Sequence, residues 1–526
     1  SPAAGRAGAA TPVSAGVPAA GDTKMASMDA KDDPSHAKPA LPLLLAPAAL
    51  YLFSVSLLFP VFPSLLKFAL PAGVPERGAE TTALYGLLQQ IKAVLDLFTL
   101  PVLGRVSDYV GRKPVTLWCL VLALLQLLLI TPPSRTGAAP ETYHACLVAS
   151  RVLGGMSDGV LVLLFASLTD VADGAALPVL FGRVGLVFGC AFTLGPLTAA
   201  LLLARSGEVA VLLLSACCTL LALLLYAGTR TETLLAARRS RLPTSLTAQF
   251  LLYFSPVYQL QQVWANPLLR EYLFAFLLHE VSTAVYLSWI LYLQWRFLWS
   301  AARVGIFLSA IGVVVGVTQG LLLRPTSAAL QRWVGETYER AVVGTALAAN
   351  ALHFALLAFV SSGTAWFLLL PLSGLASFAA PVLRGIVMRT QPVGRFGSVN
   401  AMFSTCAVLA RVFGSAVFPW ILARSQEGAV FPGALNLAAS AVMLCCLAAA
   451  VRATALFPPH LLRPPSRESV VLSPSQSDGE ELVGVRTGVD GGESSSAREH
   501  ASSPGPDPFA GGAGVRRLRT DRTSPV

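Results

Sequence analysis

Ionisable side chains in the middle of long apolar runs are the residues of this chain that can do chemistry. A charge in hydrocarbon is costly and persists where it binds a solute, moves a proton or meets an opposite charge. Gln89, Lys92 and Asp96 stand in the apolar run at about 82–103. Lys92 and Asp96 are four apart and share a helical face, so either they neutralise each other or Lys92 faces a central cavity. Arg151 and Asp158, in the run at about 143–168, are seven apart and again share a face. Gly154, Gly155 and Gly159 beside them imply close helix packing, and the charges imply a polar lining or an interhelical pair. His279 and Glu280 are neighbours in a third run, so they point about 100° apart and at most one looks straight into a cavity. Glu280 is the better candidate, because a carboxylate there must find a cation, with Lys92 and Arg151 in view, or bind a proton. Asn400 and Arg411 lie in the run at about 397–421. Arg411 either pairs across the molecule or reaches outward to the headgroups.

A second concentration of charge is Gly104-Arg105-Val106-Ser107-Asp108-Tyr109-Val110-Gly111-Arg112-Lys113-Pro114, set between two apolar runs. Its expected form is a very short loop at the water interface. The glycines allow a sharp turn, and Asp108 accepts hydrogen bonds from nearby N–H groups or from the arginines. A plain basic loop facing the cytosol would also satisfy the charge pattern.

Other chemistries find little support. Gly155-Met156-Ser157-Asp158-Gly159 fits the G-x-S-x-G nucleophile spacing, but that motif needs a strand, a sharp turn and a helix, and here it lies within an apolar helical run. There is no H-E-x-x-H pair, no phosphate-binding loop and no dinucleotide fingerprint. The eight cysteines fall in or beside apolar segments without C-x-x-C spacing, so neither a metal site nor a disulfide framework is expected. No enzyme activity and no cofactor are expected.

These residues need apolar helices to position them. The 526 residues are 54% hydrophobic and 13% charged, a balance suited to lipid rather than to a soluble core. A helix needs about 20 residues to cross a bilayer. The apolar runs fall at about 41–66, 82–103, 115–132, 143–168, 181–204, 208–228, 268–294, 301–323, 341–360, 364–387, 397–421 and 431–452, twelve spans in all. The formal charge of +10 is spread over the loops and is not gathered in one aromatic-interleaved patch, so no nucleic-acid partner is expected. With both termini in the cytosol the cations concentrate on the inner side, as the positive-inside rule requires.

The expected organisation is a disordered N-terminal tail (1–40), a six-helix half (41–228), a cytosolic central loop (229–267), a second six-helix half (268–452) and a disordered C-terminal tail (453–526) able to bind a protein partner. Within the central loop, Phe250 to Trp264 is apolar and aromatic enough to lie on the membrane surface. The halves echo each other. Val106 to Gly111 aligns with Leu330 to Gly335, and Phe181-Gly182-Arg183-Val184 with Phe396-Gly397-Ser398-Val399. The fold class expected is an all-α membrane protein of twelve transmembrane helices in two pseudo-symmetric halves around a central cavity.

The Gly104 stretch resembles the signature loop of the major facilitator superfamily, with Gly104, Asp108, Gly111, Arg112 and Lys113 in the pattern's places and Tyr109 departing from it. The resemblance implies a conformational latch. Leu84 to Lys92, running into Pro101-Val102-Leu103-Gly104, is similar to the branch of the tetracycline exporters and the hippocampus-abundant-transcript proteins, with Gln89 and Lys92 matching residue for residue. Arg151 with Gly155 resembles the superfamily's arginine motif of the fourth span, and Thr169-Asp170-Val171 resembles the close of that span in this branch. Gly195-Pro196 resembles the core of the antiporter signature, a helix-packing motif, with Ala191 and Ala199 in place of its flanking glycines. The family implies a secondary active carrier of a small organic solute, acting in a lipid bilayer by alternating access. Coupling to protons stays open, and a non-transporting receptor or scaffold on the same fold is the alternative.

Overall fold

The computed structural model describes residues 41–71, 78–132, 139–171, 177–229, 232–234, 245, 263, 265–390 and 396–458, some of the helical ones by backbone alone. The expected tails, apart from 453–458, and the surface segment at 250–264, apart from Val263, lie outside the described residues, as does the side chain of Asn400.

Every regular element among the described residues is helical. Lipid offers no partner for backbone N–H and C=O groups, and a helix satisfies them within its own segment. Among the described residues ten helices are long and apolar enough to cross a membrane: Ala79–Val110 (span two), Arg112–Leu129 (three), Pro140–Leu168 (four), Val184–Gly228, Pro267–Arg296 (seven), Ala301–Leu322 (eight), Tyr338–Phe359 (nine), Gly363–Met388 (ten), Met402–Gln426 (eleven) and Ala434–Leu456 (twelve). Span one is a pair, Pro42–Leu57 and Phe62–Phe68, bent by 52°.

The 45-residue helix is too long for one crossing. At 1.5 Å per residue it measures roughly 68 Å, about twice the hydrocarbon thickness. Gly207, at φ +76° and ψ −175°, is where two helices meet inside it. They are spans five and six, and the total is consistent with twelve. Large apolar side chains such as Leu186, Leu201, Leu213, Phe359 and Leu368 stay exposed on the outside of the bundle, where lipid would cover them.

The turn between spans two and three is shorter than expected. Residues 104–110 continue the helix of span two, and Arg112 already opens span three. The reversal is made by Gly111 alone, at φ +116° and ψ 158°, a conformation that a Cβ would strain.

The two halves touch at the end of the bundle where span two begins, here the Ala79 end. A Cβ on Gly86 would come within 2.6 Å of Pro419 in span eleven, and one on Gly305 in span eight within 2.6 Å of the Pro196 carbonyl in span five. Tyr85 donates to the Leu287 carbonyl in span seven at 3.0 Å. Towards the Gly111 end, Gly185 and Gly189 of span five and Gly316 and Gly320 of span eight have nothing within 4 Å of a built Cβ. These spans therefore close the molecule at the Ala79 end and leave it looser at the Gly111 end.

Candidate functional site

Between the halves lies a cavity of about 460 Å³. Its wall is mostly apolar, with Phe59, Phe62, Phe165, Phe188 and Phe192 among the lining residues. Gln89, Lys92, Asp96, Arg151, Asp158 and Arg411 all line it, and so do Tyr85, Gln126 and Arg384. Among the described residues, His279 and Glu280 do not.

Span four is interrupted where the site needs it. It consists of Pro140–Ser157 and Val160–Val171, with the break at Asp158 and Gly159. Interrupted helices at mid-membrane are how transporters bring polar groups to a buried site. Gly155 packs so tightly that a Cβ would meet the Leu95 Cβ at 2.6 Å, and Thr99 Oγ1 donates to the Gly155 carbonyl at 2.6 Å. Spans two and four are thus held close enough for Lys92 to contact the Asp158 carboxylate directly. Ser157 Oγ donates to the Gly154 carbonyl at 3.0 Å, as in an ordinary helical turn, so the nucleophile-like spacing around it is incidental.

Lys92 also donates to Asp96 Oδ2 at 3.2 Å, so self-pairing and cavity-facing are both realised in one ammonium group. The same Asp96 oxygen faces Arg411 Nη1 of span eleven at 3.7 Å, an ion pair between the halves. Arg151 is buried with its guanidinium 4.1 Å from the Phe62 ring centroid, and among the described residues no carboxylate lies within ion-pair distance of it. Gln89 donates to the Tyr85 hydroxyl at 3.0 Å, which orients that hydroxyl towards span seven.

His279 Nδ1 stands 3.5 Å from Glu280 Oε1. Arg384 is the cation that faces Glu280 from span ten, and its guanidinium lies 4.9 Å from the Phe276 ring and 5.6 Å from Phe403. Arg384 sits near the expected end of its span at 387, where an arginine reads as an ordinary headgroup residue. The intramembrane-charge rule that selects Lys92 would have found it.

At the Gly111 end, Arg112 Nη1 pairs with Asp108 at 2.6 Å and its Nε with Asp170 at 3.0 Å. Glu232 caps span three, accepting from the backbone N–H groups of Arg112 at 2.8 Å and Lys113 at 3.0 Å. Lys113 Nζ bonds to the carbonyls of Ala227 at 3.1 Å and of Thr229. Burial pushes the Asp170 carboxyl, beyond the end of the span, above its usual range while Arg112 pulls it down. Among the described residues these partners belong to the first half or, for Thr229 and Glu232, to the start of the central loop, and none to the second half. Gly104 supplies the carbonyl that accepts from Ser107 Oγ at 2.6 Å.

Gly195 is a close-packing position. A Cβ there would stand 1.8 Å from Ser56 Oγ, which donates to the Ala191 carbonyl at 2.8 Å. Pro196 lends its carbonyl to the contact with Gly305.

Two helical halves around a central, mostly apolar cavity that holds charged side chains, two of them on an interrupted helix, define a multi-pass membrane protein of the transporter class. The sequence profile of the Major Facilitator Superfamily matches residues 44–415, and the chain belongs to that family. It is 25% identical over 400 residues to the class D tetracycline resistance protein of Salmonella ordonez, covering 74% of this chain and 91% of that protein. It is 29% identical over 189 residues to major facilitator superfamily domain-containing protein 10 of Mus musculus, covering 32% and 40%. Its fold is similar to the crystal structure of the human organic anion transporter MFSD10 (TETRAN), with a TM-score of 0.58 at 23% identity over 78% of this chain and 98% of that one. The nucleoside transporter NupG has the same fold, with a TM-score of 0.55 at 14% identity over 79% of this chain and 99% of NupG.

Proposed function

We propose that this protein is a secondary active carrier of a small organic solute that bears an anionic group, working by alternating access with the proton as coupling ion. The observation that carries the reading is the charge of the cavity. Lys92, Arg151, Arg384 and Arg411 line it against two carboxylates, Asp96 and Asp158, an excess of two cations over the described residues. The five phenyl rings in its wall suit an apolar body attached to that anionic group. The name of the organic anion transporter of like fold agrees with this reading.

The halves rock about the cavity so that it faces each side in turn. Gly104, Asp108, Gly111, Arg112 and Lys113 form the latch of the Gly111 end, here engaged with Asp170 of the first half and Glu232 of the central loop. The cations of that end support a cytosolic position for it and for both termini. Uptake into proteoliposomes of aromatic carboxylates, their neutral amides and their amines tests the proposal. Carboxylates should enter on the order of tenfold faster than the amides. Saturable binding of carboxylates without flux would identify a receptor on a transporter fold instead.

A further inference from the structure

Asp96 is the group in the cavity whose surroundings do not balance. It is 1% exposed and lines the cavity, yet among the described residues its Oδ1 has no hydrogen-bond partner. A buried carboxylate oxygen left bare is expensive, so such an atom calls for a ligand. The other oxygen, Oδ2, carries both cationic contacts, Lys92 at 3.2 Å and Arg411 at 3.7 Å.

Those two contacts differ in kind. Lys92 belongs to the same helix as Asp96, so it stays when the halves move, but it is shared with Asp158. Arg411 belongs to span eleven in the other half, and its side chain is 41% exposed, so it is free to leave. The groups facing Asp96 are Lys92 on its own span, Asp158 and Arg151 from span four, Tyr51 from span one and Arg411 from span eleven. Arg411 alone among them comes from the second half.

We propose that Asp96 binds the coupling proton, and that Arg411 is its exchange partner: the proton occupies the carboxylate when rocking draws span eleven away and leaves when Arg411 returns. The inference deepens the carrier reading by assigning its coupling site, and it rests on that reading. The step balances simply. A solvent proton adds to Oδ1 as Arg411 withdraws, leaving a neutral carboxylic acid and one carboxylate, Asp158, for Lys92. The reverse transfer returns the proton to water when the pair between the halves re-forms. Gly86 against Pro419, ten residues nearer the Ala79 end on span two, is the contact that opens in the same movement. Protons therefore favour the form that is open at the Ala79 end, because that form binds one more of them.

The test needs no transported solute. The full-length chain, its native cysteines replaced, carries spin labels on Glu80 and Glu427, both exposed at the Ala79 end, and the distance between them is read in nanodiscs between about pH 8 and about pH 5. The ratio of long to short distances should rise with acid by about tenfold. Asp96→Asn should hold the long-distance population at every pH. Arg411→Gln should flatten the titration, and it keeps the test open if Asp96→Asn does not fold. Glu280→Gln should leave the titration as it is. A wild-type pH response that survives in both Asp96→Asn and Arg411→Gln, or one that is lost only in Glu280→Gln, overturns the assignment, as does a wild-type chain whose distances ignore pH. Absence of flux for every solute in proteoliposomes, with the pH response intact, would refute the carrier and leave the proton site standing.

Discussion

Lys92 holds more of the charge balance than its sequence position suggests, because one ammonium group serves carboxylates on two spans. Removing one partner of a buried ion pair costs about 3–5 kcal/mol, far more than deleting the whole pair. Lys92→Gln should therefore lower the melting temperature in detergent, and Lys92→Gln with Asp158→Asn should recover most of the loss. A double variant no more stable than the single one would show that Asp158 does not depend on Lys92. Gly195 makes a steric counterpart. Its missing Cβ would meet Ser56 Oγ at 1.8 Å, Ser56 Cβ at 2.8 Å and the Ser56 backbone at 3.2 Å, so turning the hydroxyl away does not relieve the clash. Gly195→Ala should destabilise by about 1–3 kcal/mol. Gly185→Ala, with nothing within 4 Å, should be close to neutral in the same thermal assay.

The elements that matter most are those that bend or stop. Span four stops at Asp158, span seven at Ala284 and Val285, and span ten at Leu369 and again at Ser377 and Phe378. Span eight passes through a π-helical turn at Thr318–Leu322, where Thr318 Oγ1 and Ser377 Oγ are 3.2 Å apart. Spans two and eleven instead run long and continuous, and they carry both a packing contact between the halves, Gly86 on Pro419, and the ion pair of Asp96 with Arg411. They are the natural lever between the halves. Gly86→Leu places a side chain where 2.6 Å is available and should wedge the Ala79 end apart. A cysteine introduced at Leu58 in the cavity wall should then react several-fold faster with a membrane-impermeant thiol reagent applied from that end. An unchanged rate would mean that spans two and eleven are not what closes it.

For the molecule as a whole, the twelve apolar runs, the echo of the halves and the Gly104 stretch made the fold legible, since lipid leaves the backbone little choice beyond helices of bilayer length. The cavity was legible in part. Lys92, Asp96, Arg151, Asp158 and Arg411 stand out because charge in a span is rare, but that Lys92 reaches Asp158 depends on how closely Gly155 lets two helices approach, which periodicity does not encode. Glu232 was hidden for a similar reason. It reads as one polar residue in a polar loop, and only the return of span six beside span three turns it into a helix cap. The proposed latch does not rest on Asp108 alone, because Arg112 keeps Asp170 at 3.0 Å and Ser107 at 2.6 Å whatever becomes of Asp108. Asp108 is 38% exposed, so its pair with Arg112 is screened by water and is worth about 1 kcal/mol or less. Asp108→Asn should consequently leave the fold and solute affinity intact while shifting the ratio of the two rocking states a few-fold, seen as altered turnover with unchanged half-saturation in proteoliposomes. A change confined to half-saturation would move Asp108 from the latch to the solute.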